Sequence, residues 1–388
     1  MVRILHTSDW HVGKLIRGQS RADEHRAVLA EIAGIAAAEE VDLVLVAGDL
    51  FETAAPGPAS EAIVYRALLD LAQVAPVVVI GGNHDNPRRL SAVAPLLDLG
   101  RVRLLAQPAR PDDGGVTDLD LAGTVVRLAL VPFVSKRGIV RADQLMRDAA
   151  FELNQAYDER MRAIIDGLTA GFAPDTVNVV CGHLFAAGGT LGGGERSAHT
   201  IMDYSVASLA FPVTAQYVAL GHLHRAQDIP GATRVRYCGS PLQLDFGESS
   251  ETKSVSIVDL EPGVPAAVRE VPLTEGRRLR TIVGTLAEIE SARGTTDDDY
   301  LRIIVADARR AGLADEIRSW FDAEDSCVVD VQVRPVDDDA PTTSRRPDNA
   351  TPSELFSLYL ADRGVDDDRL VPAFDDLLDE LSSAGSER

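Results

Sequence analysis

The chain has 388 residues, 45% of them apolar, and a mean hydropathy near zero, which suits two or three soluble folding units. Its net charge is −22, with 26 acidic against 14 basic residues in positions 277–388, so it lacks the overall basic footprint of a polyanion binder. The greasiest stretch, 62–80, is interrupted by Arg66, Asp70, Gln73 and Pro76 and cannot span a membrane.

The amino terminus runs directly into a strand candidate at 3–8, with no apolar leader. A helix is expected over 21–39, carrying Val28, Ile32 and Ile35 on one face, followed by a buried strand at 42–47. A second helix over 58–73 and a third strand at 76–80 complete a βαβαβ order, which implies a parallel sheet covered by helices. Further strands are expected at 124–131, 177–181, 217–220 and 254–260. A smaller unit begins near Gly276, with strands at 277–286, 300–305 and 327–333 and a helix at 311–323. A polar segment at 337–350 then precedes Thr351-Pro352-Ser353-Glu354, whose capping-box spacing with Pro at N1 starts a helix. A last helix carries Leu370, Phe374, Leu377, Leu378 and Leu381 on one face. The expected division is 1–275, 276–336, a linker at 337–350, and carboxyl-terminal helices in 351–388. The three cysteines, Cys181, Cys238 and Cys327, are odd in number and lack metal-type spacing, which points to a reducing cytoplasm.

Five short strings place metal-seeking side chains at the ends of these strands. They are Asp9-Trp10-His11, Gly48-Asp49, Gly82-Asn83-His84-Asp85, Gly182-His183 and Gly221-His222-Leu223-His224, and they take five of the eight histidines. Imidazole, carboxylate and carboxamide oxygen suit Mn, Fe or Zn at a hydrolytic site, whereas thiolates would mark a structural Zn. In an open α/β sheet the loops at the carboxyl ends of strands converge on the ligand site, so residues far apart in sequence meet in one cleft. One carboxylate can bridge two cations, and a neutral Asn oxygen beside a His that points elsewhere gives the two neighbours different tasks. The pattern reads as a two-metal phosphoesterase.

These strings, together with Ala47–Phe51, Ala219–Arg225 and Tyr237–Pro241, resemble the calcineurin-like metallophosphoesterase superfamily, and within it the bacterial repair-nuclease subunits. The likeness covers nearly all of residues 1–260. It implies a two-sheet α/β sandwich flanked by helices, with a small α+β capping domain. It also implies that Asp9, His11 and His224 hold one Mn²⁺ and that Asn83, His183 and His222 hold the other. Asp49 would bridge them, and His84 would be the non-ligand acid beside the leaving oxygen. Mg²⁺ or another divalent cation is the alternative metal. The implied activity is Mn-dependent cleavage of DNA, as a double-strand exonuclease and a single-strand or hairpin endonuclease. The implied partners are DNA and an ATPase with a long coiled coil, onto which the helices beyond 351 dock, with the chain a homodimer within a heterotetramer.

The sequence departs from the superfamily's phosphatases, which carry Asp-Arg shortly after the Gly-Asp; here Glu52-Thr53 follows, with Glu52 either supporting a metal ligand or solvated. A phosphoesterase for small phosphodiesters, nucleotides or phosphoproteins is the competing reading. Lys14, Arg17, Arg21, Arg88, Arg89, Lys136, Arg137 and Arg196 are candidates for a DNA-contacting rim. Gly188–Arg196 reads as a flexible loop facing substrate, and His6, His25 and His199 as structural.

Overall fold

A computed structural model describes residues 1–121, 123–135, 150–195, 205–307, 310–321 and 326–334, and four positions beyond them. The chain runs β1 (Val2–Thr7), α1 (Ala22–Ala38), β2 (Leu43–Val46), α2 (Pro58–Val74), β3 (Val77–Ile80), α3 (Pro87–Asp98) and β4 (Val102–Leu105). It continues through β5 (Val116–Leu121), β6 (Thr124–Val131), α4 (Ala150–Thr169), β7 (Val177–His183), β8 (Tyr217–Gly221), β9 (Gln227–Ile229) and β10 (Arg234–Tyr237). It then passes through β11 (Ser254–Leu260), β12 (Ala267–Pro272), β13 (Leu279–Gly284), α5 (Leu286–Ser291), β14 (Tyr300–Ala306), α6 (Leu313–Phe321) and β15 (Cys327–Arg334).

Two six-stranded sheets result, with orders β12-β11-β1-β2-β3-β4 and β9-β10-β8-β7-β6-β5. The central strands β1 to β4 are parallel, as the βαβαβ order predicts, while β11 and β12 extend that sheet antiparallel. Alternation of side chains across each strand assigns its two faces. Leu5, Val44, Val46, Val77 and Val79 pack beneath α1 and α2, whereas Ile4, Leu43, Leu45, Val78 and Ile80 meet the second sheet. The second sheet does the same: Leu128, Leu130 and Val179 face the first, and Ala129, Val131, Val180 and Val218 face Tyr157, Met161, Ile165 and Leu168 of α4. The product is a helix–sheet–sheet–helix sandwich. Burial on both faces explains why these strands read as continuous apolar runs.

Residues 1–334 form one compact unit and 335–388 a second. Within the first unit, β13, β14 and β15 make a separate three-stranded sheet whose strands are all parallel, with its own core of Leu301, Ile303, Val305, Ile289, Ile317 and Phe321. The expected strand at 277–286 ends at Gly284, because Thr285 and Glu288 form a capping box that starts α5. In the second unit Phe356 and Phe374 stack with ring centres 4.2 Å apart, and both positions are helical. Leu360 and Leu370 are helical too, and the rest of the helices expected at 352–362 and 367–382 lies outside the described residues. Among the described residues no helix is long and apolar enough to cross a membrane.

Candidate metal centre

The loops after β1 and β2 run side by side. Asp9 N donates to Gly48 O at 3.0 Å, His11 N to Asp49 O at 3.1 Å, and Val12 N to Leu50 O at 3.0 Å. Asp85 then clips the loop after β2 to the loop after β3, accepting from Gly82 N at 2.9 Å, Phe51 N at 3.1 Å and Leu50 N at 3.3 Å. The backbone is strained where these loops converge. Asp9, His11, Asp49 and His222 all have positive φ, between 47° and 107°, which non-glycine residues adopt only when their surroundings impose it. Two glycines are required by close approach: a Cβ on Gly82 would fall on the Asp49 carboxylate, and one on Gly221 would fall on Ala47 O.

The structure brings all seven expected ligands into one cleft. Asp9, His11 and His224 present donor atoms within 4.8 Å of one another, as do Asp9, Asp49 and His183. Asp49 Oδ2 lies 3.5 Å from both His11 Nε2 and His183 Nε2, so it stands between the two histidine groups. Asn83 Oδ1 sits 2.9 Å from His183 Nε2 and 2.7 Å from His222 Nδ1. Asp9 also accepts from His222 N at 2.9 Å, tying the loops of the two sheets together.

Hydrogen bonds to the opposite ring nitrogens select the donor atoms. His183 Nδ1 donates to Ala47 O at 2.8 Å, so Nε2 is the nitrogen turned toward Asn83 Oδ1 and Asp49 Oδ2. His11 Nδ1 meets Glu52 Oε2 at 2.9 Å, and its Nε2 is buried with no hydrogen-bond partner among the described residues. His224 Nδ1 meets Glu248 Oε1 at 3.1 Å. A buried imidazole nitrogen without a hydrogen-bond partner among the described residues, set among nitrogen and oxygen donors, fits divalent cations. Glu52 thus bonds His11 and Lys14 from a partly exposed position; burial would raise its pKa, but the His11 hydrogen bond and the His11 and Lys14 charges hold it down at about 2. For Glu248 burial again opposes, and His224 and Lys253 hold its carboxyl down at about 2. Burial pushes Asp9 up to about 6, opposed by His183 and His224. Asp49 resists burial through the His183 charge and hydrogen bond and the His11 charge, and stays well below the usual carboxylate range.

His84 sits beside the cleft. Its Nδ1 donates to Glu52 O at 2.7 Å and its ring packs edge-on to His11 at 4.5 Å, while its backbone N donates to Asp49 Oδ1 at 2.8 Å. Phe133 stacks on His222, with ring centres 6.4 Å apart. Sequence reasoning missed Asp85 as the loop clip and Glu248, Lys253 and Glu195 around His224. Asp85 was visible within its motif, but nothing in the spacing linked Glu248 to His224.

The basic rim needs correction at Arg21. Its side chain is buried, held by Glu24 and by the carbonyls of Gln243 and Arg277, so it braces the small sheet and does not reach solvent. Lys14 pairs with Glu52, Arg17 with Asp330 and Arg89 with Glu61, while exposed Arg88 makes no ion pair with another described residue. Lys136, Arg137 and Arg196 lie outside the described residues, as does His199. His6 bonds Tyr217 and His25 bonds the Arg21 and Trp10 carbonyls, both buried. The described part of the Gly-rich loop folds back onto His224, with Glu195 accepting from His224 N at 3.2 Å.

A family model for calcineurin-like phosphoesterases matches residues 2–226, and the chain belongs to that family of hydrolytic enzymes. Within it the chain groups with the SbcD subunits of the nuclease SbcCD. The SbcD of Bacillus subtilis (strain 168) is 38% identical over 283 residues, covering 72% of this chain and 71% of the relative. That of Rhodobacter capsulatus is 36% identical over 70% of this chain and 69% of its own length. That of Escherichia coli (strain K12) is 30% identical over 74% and 72%.

Proposed function

We propose that this protein is a Mn²⁺-dependent DNA nuclease that processes double-stranded ends and hairpins in repair and recombination, working with an SbcC-type coiled-coil ATPase. The observation that carries the reading is the convergence of Asp49 and six further nitrogen- and oxygen-bearing residues at the carboxyl ends of β1, β2, β3, β7 and β8. Asp9, His11 and His224 would hold one cation and Asn83, His183 and His222 the other, with Asp49 available to both. When bound, the two ions supply Lewis acidity and charge neutralisation for in-line attack at phosphorus.

The chain's own groups do the rest. Asp49, kept anionic, centres the site, and Asp85 fixes the loops that carry Asp49 and Asn83. Because His84 donates its Nδ1–H in a hydrogen bond to the Glu52 carbonyl, Nε2 is the atom through which a proton reaches the leaving oxygen. Glu52 occupies the place where phosphatases of the superfamily carry Asp-Arg and is committed to His11 and Lys14, so it offers no cation to a terminal phosphate. That favours a diester over a monoester. The relatives are named as the SbcD part of a nuclease, SbcCD, which supports DNA as substrate and an SbcC protein as partner.

In this reading 276–336 caps the cleft, the helices beyond 351 dock on the ATPase coiled coil, and the chain is a cytoplasmic homodimer within a heterotetramer. Arg88, exposed beside Asn86 and Phe133 in a groove of about 440 Å³, is the described basic residue best placed to meet DNA. The test compares hydrolysis of end-labelled duplex and hairpin DNA, bis-p-nitrophenyl phosphate and p-nitrophenyl phosphate with Mn²⁺. DNA and the diester are cleaved and the monoester is not. Preferential turnover of the monoester would overturn the nuclease reading.

A further inference from the structure

Two histidines of the centre have a carboxylate on Nδ1, but their carboxylates differ. Glu52 is partly exposed, whereas Glu248 is fully buried in the turn between β10 and β11. A buried carboxylate is costly unless its lone pairs are met. Here Oε1 meets His224 Nδ1 at 3.1 Å, while Oε2 accepts from Leu244 N at 2.9 Å and Lys253 Nζ at 2.7 Å. Lys253 is itself buried and also donates to His224 O at 3.0 Å, so one ammonium holds both the carboxylate and the backbone of the histidine it serves. The Gly-rich loop roofs the pair. Glu195 accepts from Gly192 N, Gly193 N and His224 N, and a Cβ on Gly194 would come within 2.9 Å of His224 Nδ1 and 2.8 Å of Glu248 Oε1.

An imidazole whose Nδ1–H is fixed by a carboxylate presents Nε2 as its lone-pair donor in a set plane and is a stronger ligand for it. By contrast, among the described residues His183 has only the Ala47 carbonyl on its Nδ1. We propose that Glu248, anchored by Lys253 and sealed by Gly194, is a positioning residue that fixes the tautomer and ring plane of His224. It thereby strengthens one of the two cation sites selectively. The proposal rests on the reading of Asp9, His11 and His224 as the ligands of one cation.

The experiment counts Mn²⁺ bound to the full chain and measures both affinities by calorimetry and electron paramagnetic resonance, with melting of the metal-free proteins alongside. Wild type binds two ions. Glu248→Ala weakens one site about 10–100-fold and leaves the other unchanged. Glu248→Gln, which keeps an oxygen acceptor for Nδ1–H, weakens that site less. Gly194→Ala, which intrudes on the pair from a surface loop, weakens the same site. Unchanged affinities in a folded Glu248→Ala protein, or equal loss at both sites, overturn the proposal. Should that variant fail to fold, unchanged binding by Gly194→Ala overturns it. Wild type binding fewer than two ions, or His224→Ala leaving both affinities intact, would instead strike the ligand reading beneath it.

Discussion

Asp85 holds the two loops that carry Asp49 and Asn83, and its removal has a calculable cost. It is 6% exposed and accepts two good backbone hydrogen bonds, from Gly82 and Phe51, and a longer one at 3.3 Å from Leu50. Asp85→Ala orphans at least the first two donors. At about 1–3 kcal/mol for each buried donor left unmet, the loss is about 2–6 kcal/mol. Against a typical total of about 5–15 kcal/mol the variant folds, with a large part of its margin gone. Asp85→Asn keeps one acceptor oxygen and loses less. Urea unfolding reads the loss as a lower midpoint at unchanged slope. Calorimetry with Mn²⁺ reads the second consequence, weaker binding as the Asp49 and Asn83 loops drift apart. A loss below about 1 kcal/mol in Asp85→Ala, with normal Mn²⁺ affinity, would refute the clip as described.

Four further outcomes follow from the same geometry. His84→Ser lowers kcat on duplex DNA about 10²–10⁴-fold while both Mn²⁺ affinities stay at wild-type values; a loss of bound metal would make His84 a ligand instead. Glu24, whose pKa burial would raise but Arg21 lowers below the usual value, stabilises the protein fully above the unfolded-state pKa of about 4.3 and loses that contribution as pH falls through its folded value. The melting-temperature gap between wild type and Glu24→Gln is therefore wide near neutrality and closes in acid; a gap constant with pH contradicts this. Arg88→Ala weakens duplex binding about equally across sequences and reduces the slope of log K against log salt by about 1, measured by anisotropy. Removing residues 345–388 abolishes capture of the coiled-coil ATPase and spares Mn²⁺ binding; intact capture would place the docking element elsewhere.

The candidate ligands could be picked out because each follows an apolar run that β pairing buries, and parallel sheets gather the ends of such runs at one edge. Asp9, Asp49, Asn83, His183 and His222 all stand in that relation to a strand. What stayed hidden depends on approach between distant segments. Glu248 lies 24 residues beyond His224 in a stretch of Leu242, Leu244 and Phe246 that reads as ordinary core, and only the fold turns its carboxylate inward. Arg21 misled in the opposite direction. At a helix start it reads as a solvated cation, yet Glu24 one turn on and two carbonyls from beyond residue 242 bury it beneath the small sheet. Strands β4, β5, β9, β10 and β12 escaped notice because they are short or half-exposed and carry charged residues.

The central claim is that seven residues from five strand ends hold two cations with Asp49 between them. Anomalous diffraction at the manganese edge from crystals grown with Mn²⁺ tests it directly. The account predicts two peaks about 3.5–4 Å apart, one against Asp9, His11 and His224 and the other against Asn83, His183 and His222, with Asp49 touching both. A single peak, or a pair that Asp49 does not bridge, would contradict it.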